Sequence, residues 1–109
     1  MGLLSIFGKK DFTAGMAQYE ADPGAVLLDV RTEEEHLHLR IPGSRNLPLD
    51  EIGKAKFVVP DVTTPVYVYC RSGSRSNQAA STLKKLGYTN VHDIGGIKGY
   101  QGKTEGGPK

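Results

Sequence analysis

Two short apolar runs, each preceded by turn residues, constrain the fold of this chain more than any other feature. Residues 25–30 (AVLLDV) follow the turn 22–24 (DPG), and residues 66–69 (VYVY) follow 63–65 (TTP). A continuous apolar run of this length is typical of a strand that is buried on both faces of a parallel sheet. We therefore expect an α/β fold with a largely parallel sheet.

Helical patterns alternate with these strands. Asp11 is placed to cap a helix in which Phe12 and Met16 recur at helical spacing. Residues 75–86 form the longest predicted helix, and Gly87 is placed to end it. Because strands alternate with helices, right-handed crossovers should place helices on both faces of the sheet.

Three shorter segments complete the predicted elements. Thr32 and Glu35 form a capping-box pattern, which predicts a brief helix after the first strand. Residues 44–49 and 91–94 are predicted to be short extended segments. Residues 50–59 fit either a weak helix or a loop, and the sequence leaves both open.

Composition limits the classes of protein to which the chain can belong. With 109 residues, 38% of them hydrophobic, the chain predicts one folded domain over residues 1–109. Its 14 basic and 12 acidic side chains give a net charge of +2, so we expect no nucleic-acid partner. No apolar run approaches the ~20 residues of a membrane helix, so we expect no membrane partner. A single cysteine predicts a free thiol and fits a reducing compartment. Residues 1–7 are not a convincing signal peptide, so we expect a cytoplasmic location.

The segment that joins the second strand to the longest helix carries the predicted chemistry. It is residues 70–76, with the sequence CRSGSRS. Small residues allow successive backbone N–H groups to converge on one point and hold a negative charge, and the helix N-terminus adds its positive dipole end. Together with the guanidinium groups of Arg71 and Arg75, this setting favours the thiolate of Cys70. We predict that Cys70 is a catalytic nucleophile.

The remaining loop residues are predicted to bind an anionic substrate. They are Arg71, Ser72, Gly73, Ser74, Arg75 and Ser76. A lone cysteine at a strand end is commonly a small buried hydrophobe with no chemical role. The arginines and serines around Cys70 make a poor hydrophobic core and favour the reactive interpretation.

Other polar residues near the strand ends receive structural interpretations. Asp29 and Arg31 stand at the carboxyl end of the first strand, where α/β sheets bind ligands. We interpret them as an ion pair that supports the loop, because the predicted chemistry needs no general acid. The histidines at positions 36, 38 and 92 lack metal-ligand spacing, so we expect them to be solvated and predict no metal site.

The loop resembles the active-site loop of the rhodanese family, C-x-x-G-x-R-[ST]. Further blocks are similar to the family's D-V-R, E, H-I-P-G-A, N-I-P and G-G-I-x-x-W motifs in the same order: residues 29–31 (DVR), Glu34 or Glu35, 41–44 (IPGS), 46–48 (NLP), and 95–97 (GGI) with Tyr100. The resemblance covers the chain from about residue 10 to its end. Several blocks in one order identify the family more specifically than a single motif does.

This resemblance implies a five-stranded, mainly parallel sheet flanked by helices, and a sulfurtransferase without a cofactor. Such an enzyme passes sulfane sulfur from a donor such as thiosulfate to cyanide or to a thiol, including a protein thiol, through a persulfide on Cys70. The chain departs from the family where Leu39-Arg40 replaces the common Gly-His and Tyr100 replaces Trp. Arg40 adds a positive charge, which would either alter the approach to the loop or be solvated, and we expect the side chain to be solvated.

Two alternatives to turnover of thiosulfate remain open. One is a sulfur carrier, or a redox or anion-binding module, that acts only with a partner protein. The other is a phosphatase or an arsenate reductase, whose loops also hold an oxyanion beside a cysteine. Six residues run from Cys70 to Arg75, whereas phosphate-handling loops carry the arginine one position later, where this chain has Ser76. The loop length favours sulfur transfer.

Overall fold

The elements of the computed structural model, which describes residues 10–108, alternate between helix and strand. In chain order they are α1 (Phe12–Glu20), β1 (Val26–Asp29), α2 (Glu33–His38), β2 (Arg45–Asn46), a 3₁₀ helix (Leu49–Lys54), α3 (Ala55–Val58), β3 (Val66–Cys70), α4 (Ser74–Lys85) and β4 (Val91–Gly96). The strands form one parallel sheet in the order β2-β1-β3-β4. The α/β class and the parallel sheet are therefore confirmed.

Successive residues of β1 and β3 contribute to opposite sides of the sheet. Leu28 and Val68 belong to a core that the 3₁₀ helix, α3 and α4 cover, whereas Leu27 and Tyr67 belong to a core under α1. Both strands are buried along their whole length. Burial on both faces explains why each strand is a continuous apolar run instead of an alternating one.

The register of the central strands brings the predicted site residues to one edge of the sheet. Asp29, the last residue of β1, is paired with Tyr69, and Cys70 follows as the last residue of β3. Cys70 is in turn paired with Gly96 at the end of β4. The carboxyl ends of three parallel strands thus meet where the loop 70–76 begins, as expected for a ligand site in this class of fold.

The predicted number of strands is wrong. Residues 10–108 form four strands instead of five. Arg40 and Glu105 form only an isolated antiparallel bridge. The bridge does not extend into a strand because the next amide, that of Ile41, donates to the Tyr69 hydroxyl instead of to a neighbouring backbone.

The short elements follow local sequence signals. The Asp11 side chain accepts from the Ala14 amide and caps α1, and the Thr32 and Glu35 side chains form the complete capping box of α2. Residues 50–59, which the sequence left open, lie mostly in the 3₁₀ helix and α3. None of the helices in the described part of the chain is long and apolar enough to cross a membrane.

Gly96 allows β4 to approach the loop more closely than any other residue would allow. A Cβ atom at this position would collide with the Arg71 carbonyl oxygen and lie 2.6 Å from the Cα of Ser72. Both neighbours are backbone atoms, which cannot move aside as a flexible side chain can. The glycine therefore sets the distance between β4 and the residues that follow Cys70.

We predict that Gly96→Ala lowers the free energy of unfolding by about 2 to 3 kcal/mol, because the added methyl overpacks against backbone. Gly53→Ala is the matched control, since nothing lies within 4 Å of a Cβ at Gly53. The control should change stability by no more than about 1 kcal/mol. Urea unfolding followed by circular dichroism measures both, and equal stabilities of the two variants would contradict the prediction.

Candidate active site

The Cys70 side chain lies at the bottom of the loop that joins β3 to α4. The residue is 1% exposed, and its Sγ accepts a hydrogen bond from the Gly73 amide at 3.0 Å. Gly73 has a φ of +106°, a left-handed conformation that suits glycine, and it turns the chain back over the sulfur. The loop thus closes on the thiol within three residues.

Ser76 completes the immediate surroundings of the sulfur. Its Oγ lies 3.5 Å from the Cys70 Sγ and donates to the Gly73 carbonyl at 3.1 Å. Ser76 is fully buried, whereas Ser72 and Ser74 are exposed. The first amides of a helix have no intrahelical acceptor, and α4 begins at Ser74, four residues after Cys70.

The two arginines of the loop have different surroundings. Arg75 forms a bidentate ion pair with Glu35, with Nη1 2.6 Å from Oε1 and Nη2 3.1 Å from Oε2. Arg71 is exposed. The loop was predicted to offer both guanidinium groups to an anion, and the structure shows one of them already bound to a carboxylate.

Glu35 is held in place from two sides. Besides Arg75, the amide and the hydroxyl of Thr32 donate to its Oε1 at 3.0 and 3.1 Å. The Arg75 hydrogen bond, opposed by partial burial and reinforced by Thr32, lowers the pKa of Glu35 to about 2. The Glu35 hydrogen bond in turn raises the pKa of Arg75. The ion pair therefore joins the start of α4 to the start of α2.

Asp29 is the centre of a buried hydrogen-bond network under the site. Its carboxylate is fully buried and accepts from the backbone amide of Arg31 and from both Nε and Nη2 of the same arginine, at 2.7 to 2.9 Å. His36 Nδ1 and the Tyr69 hydroxyl contact its Oδ2 at 2.9 and 3.0 Å. The ion pair that was predicted between Asp29 and Arg31 is present.

The network reaches the loop through the residue before Cys70. The Arg31 guanidinium lies over the Tyr69 ring, 5.5 Å from its centroid, and also donates to the Leu39 carbonyl. The Tyr69 hydroxyl accepts from the Ile41 amide. Burial, together with the nearby Asp29 charge, raises the pKa of Tyr69 to about 12, so the phenol stays a neutral donor.

The expectation that His36 is solvated is wrong. Its side chain is 5% exposed, and its Nδ1 lies 2.9 Å from the Asp29 Oδ2. The capping box of α2 positions His36 one residue after Glu35, on the side of the helix that faces the sheet. A buried aspartate at the end of a strand needs hydrogen-bond donors from neighbouring elements. Asp29 is such a residue, and this signal in the sequence indicates that a nearby polar side chain such as His36 is buried with it.

The expectation that Arg40 is solvated is also wrong. Arg40 is 2% exposed, its Nε donates to the Glu105 carboxylate at 2.9 Å, and its Nη1 donates to the Gly107 carbonyl at 2.9 Å. The backbones of Arg40 and Glu105 also exchange hydrogen bonds at 2.8 and 2.9 Å. Arg40 therefore fastens the C-terminal segment to α2, which explains why an arginine occupies this position.

An open cleft lies beside the Arg71 end of the loop. Its volume is about 630 Å³. Its walls come from residues in and next to α2, from the loop and from the segment after β4: Arg31, Glu35, His38, Leu39, Arg71, Ile97, Lys98, Gly99, Tyr100 and Thr104. Of the predicted site residues, the structure brings Arg31 and Arg71 to this cleft, whereas Arg75 faces a different cleft with Val30 and Leu49.

Comparison with known proteins gives a consistent result. The rhodanese-like domain family matches residues 11–103. The chain is 39% identical over 72 residues to thiosulfate sulfurtransferase PspE of Escherichia coli, covering 65% of this chain and 69% of that protein. It is 37% identical to the putative sulfur carrier protein YrkF of Bacillus subtilis, covering 79% of this chain and 46% of that protein.

Solved structures with the same fold agree with these relatives. A rhodanese from E. coli described with anions superimposes with a TM-score of 0.70 at 34% identity, covering 76% of this chain and 99% of that one. The human single-domain sulfurtransferase TSTD1 superimposes with a TM-score of 0.67 at 27% identity, covering 76% of this chain and 85% of that one.

We predict that the Glu35–Arg75 ion pair contributes about 1 to 2 kcal/mol of stability near neutral pH, after allowance for its partial exposure. The pKa of Glu35 lies below its ordinary value of 4.5, so the contribution is present above pH 4.5 and is lost as pH falls toward 2. Glu35→Gln keeps a side chain that can complete the capping box and removes only the charge.

Urea unfolding at several pH values checks this prediction. The stability difference between wild type and Glu35→Gln should be largest near neutrality and should shrink as pH falls below 4.5. Glu34→Gln, at an exposed position of the same helical turn, is the control and should show little of this difference. A difference that stays constant with pH would count against the ion pair.

Proposed function

The chain belongs to the rhodanese-like domain family, and from that membership we propose that it is a sulfurtransferase that carries sulfane sulfur on Cys70. The observation that carries the proposal is the closure of the loop on the thiol, with the Gly73 amide 3.0 Å from Sγ. An N–H donor in contact with the sulfur, in a loop that leads into a helix, suits the negative charge of a thiolate and, after reaction, of a persulfide.

The first step loads the cysteine. The Cys70 thiolate attacks the outer sulfur of a donor such as thiosulfate, and a bond forms between Sγ and that sulfur. The sulfur–sulfur bond of the donor breaks, and sulfite leaves with the electron pair. Cys70 becomes a persulfide, and no proton is transferred, so the step needs no general acid.

The second step unloads the cysteine. A thiophilic acceptor, either cyanide or a thiolate, attacks the outer sulfur of the persulfide. The acceptor takes the outer sulfur, so cyanide becomes thiocyanate and an acceptor thiolate becomes a persulfide. The bond between that sulfur and Sγ breaks, and its electron pair restores the Cys70 thiolate. Two half-reactions with a covalent intermediate predict ping-pong kinetics.

The loop residues have distinct roles in this proposal. The Gly73 amide and the amides of the first turn of α4 hold the negative charge on sulfur. Ser76 keeps Gly73 in place through its hydrogen bond to that residue's carbonyl. Arg71, Ser72 and Ser74 are exposed at the rim, where an anionic donor arrives. Asp29 and Arg31 position the loop through Tyr69.

The similarity to a putative sulfur carrier supports a second version of the function, in which the acceptor is a protein thiol. Cys70 would then load from a small donor but release sulfur only to a partner protein. A lone thiol suits a reducing compartment such as the cytoplasm, which stays a prediction. The two versions differ in turnover with cyanide, which a carrier does not support.

Sulfur transfer is favoured over phosphate chemistry by the tightness of the loop. A tetrahedral phosphoryl group needs donors for three oxygens while its phosphorus meets the thiolate in line. Here the Gly73 amide already contacts Sγ, and Arg75, the arginine that would face an oxyanion, is bound to Glu35. A single outer sulfur is the smaller group to accommodate.

We predict that Cys70→Ser abolishes thiosulfate:cyanide turnover, because Cys70 is the only thiol in the chain. Thiocyanate formation measures the rate, and Ser81→Ala on the exposed side of α4 is the control that should keep it. A Cys70→Ser variant that kept more than a few per cent of the rate would exclude covalent catalysis at this residue. Hydrolysis of p-nitrophenyl phosphate by the wild type, without thiocyanate formation, would favour the phosphatase alternative.

A further inference from the structure

We propose that Lys98 and Arg71 together form the binding site for the anionic end of the donor, so that Lys98 selects donors with two negative charges. This inference rests on the proposed sulfur transfer and adds a residue outside the loop. Both side chains line the cleft beside the loop. Nothing in the pattern of residues 70–76 points to Lys98, because it lies after β4.

Backbone hydrogen bonds hold Lys98 next to Arg71. The Ile97 amide donates to the Cys70 carbonyl at 2.9 Å, and the Lys98 amide donates to the Arg71 carbonyl at 3.0 Å. The segment after β4 therefore continues alongside the first residues of the loop. Gly96 makes this approach possible, because its missing side chain leaves room for the Arg71 backbone.

The charges in the cleft are compensated except at these two residues. The Arg31 charge is paired with Asp29, and the Glu35 charge is paired with Arg75. Within residues 10–108, no carboxylate lies within salt-bridge distance of Arg71 or Lys98. The cleft thus presents two uncompensated positive charges to solvent.

Two uncompensated cations in a cleft whose wall includes Arg71, the residue after Cys70, suit a small dianion better than a monoanion. Thiosulfate carries two negative charges, whereas the methanethiosulfonate anion, in which a methyl group replaces one oxygen of thiosulfate, carries one. The methanethiosulfonate anion, supplied as its sodium salt, is the monoanionic probe. Tyr100 lines the same cleft and provides an apolar surface beside the two cations. Because both side chains are exposed, their attraction for the donor should weaken with added salt.

Equilibrium binding to the Cys70→Ser protein tests the site without the chemical step. Calorimetry should show that Lys98→Ala, in the Cys70→Ser background, weakens thiosulfate binding about tenfold, as expected for the loss of one charge-assisted contact. Binding of the methanethiosulfonate anion should weaken about threefold or less, and Lys98→Arg should restore thiosulfate binding. Lys84→Ala, at an exposed position of α4 outside the cleft, is the control and should leave both affinities unchanged.

The outcomes separate this inference from the proposed function. Weaker thiosulfate binding in Lys98→Ala supports the two-cation site, even when the wild type fails to form thiocyanate and the proposed function is thereby excluded. Equal affinities of the Lys98→Ala and Lys84→Ala proteins for thiosulfate would overturn the inference, even when the wild type turns over. An equal loss of affinity for both anions would also overturn it, because selection by charge would be absent.

Discussion

The buried carboxylate of Asp29 is the interaction on which the rest of the site depends. A fully buried charge is stable only when donors surround it, and Asp29 obtains them from Arg31, His36 and Tyr69. These three residues belong to the turn after β1, to α2 and to β3. One carboxylate therefore connects the strand end, the neighbouring helix and the strand that carries Cys70. The network contacts Tyr69, the residue before Cys70, through its hydroxyl.

The positively charged side chains around the site fall into two groups: those paired with carboxylates and those without a carboxylate partner in the described residues. Arg31 and Arg40 are buried against carboxylates, and Arg75 is bound to Glu35. Arg71 and Lys98 lie at the surface of the cleft. The loop 70–76 is therefore tied to α2 by an ion pair and is cationic on the side of the segment after β4. In the proposed sulfur transfer, this asymmetry favours the approach of an anionic donor from the cationic side.

The sequence predicted the parts of this arrangement that are local in the chain. Local sequence patterns predict the loop with Cys70, the capping box of α2 and the two central strands. Each of these features depends on residues that lie within a few positions of one another. The Glu35–Arg75 pair joins residues 40 positions apart, and the Arg40–Glu105 pair joins residues 65 positions apart. Such pairs arise only from packing, which is why Arg40 and His36 were wrongly expected in solvent.

Mass spectrometry of the intact protein after incubation with thiosulfate tests the central claim most directly. The account predicts a gain equal to the mass of one sulfur atom, located on the peptide that contains Cys70 and removed by cyanide or by a thiol. The Cys70→Ser protein should gain nothing. An unmodified wild-type protein, or added sulfur that cyanide and thiols cannot remove, would contradict the account.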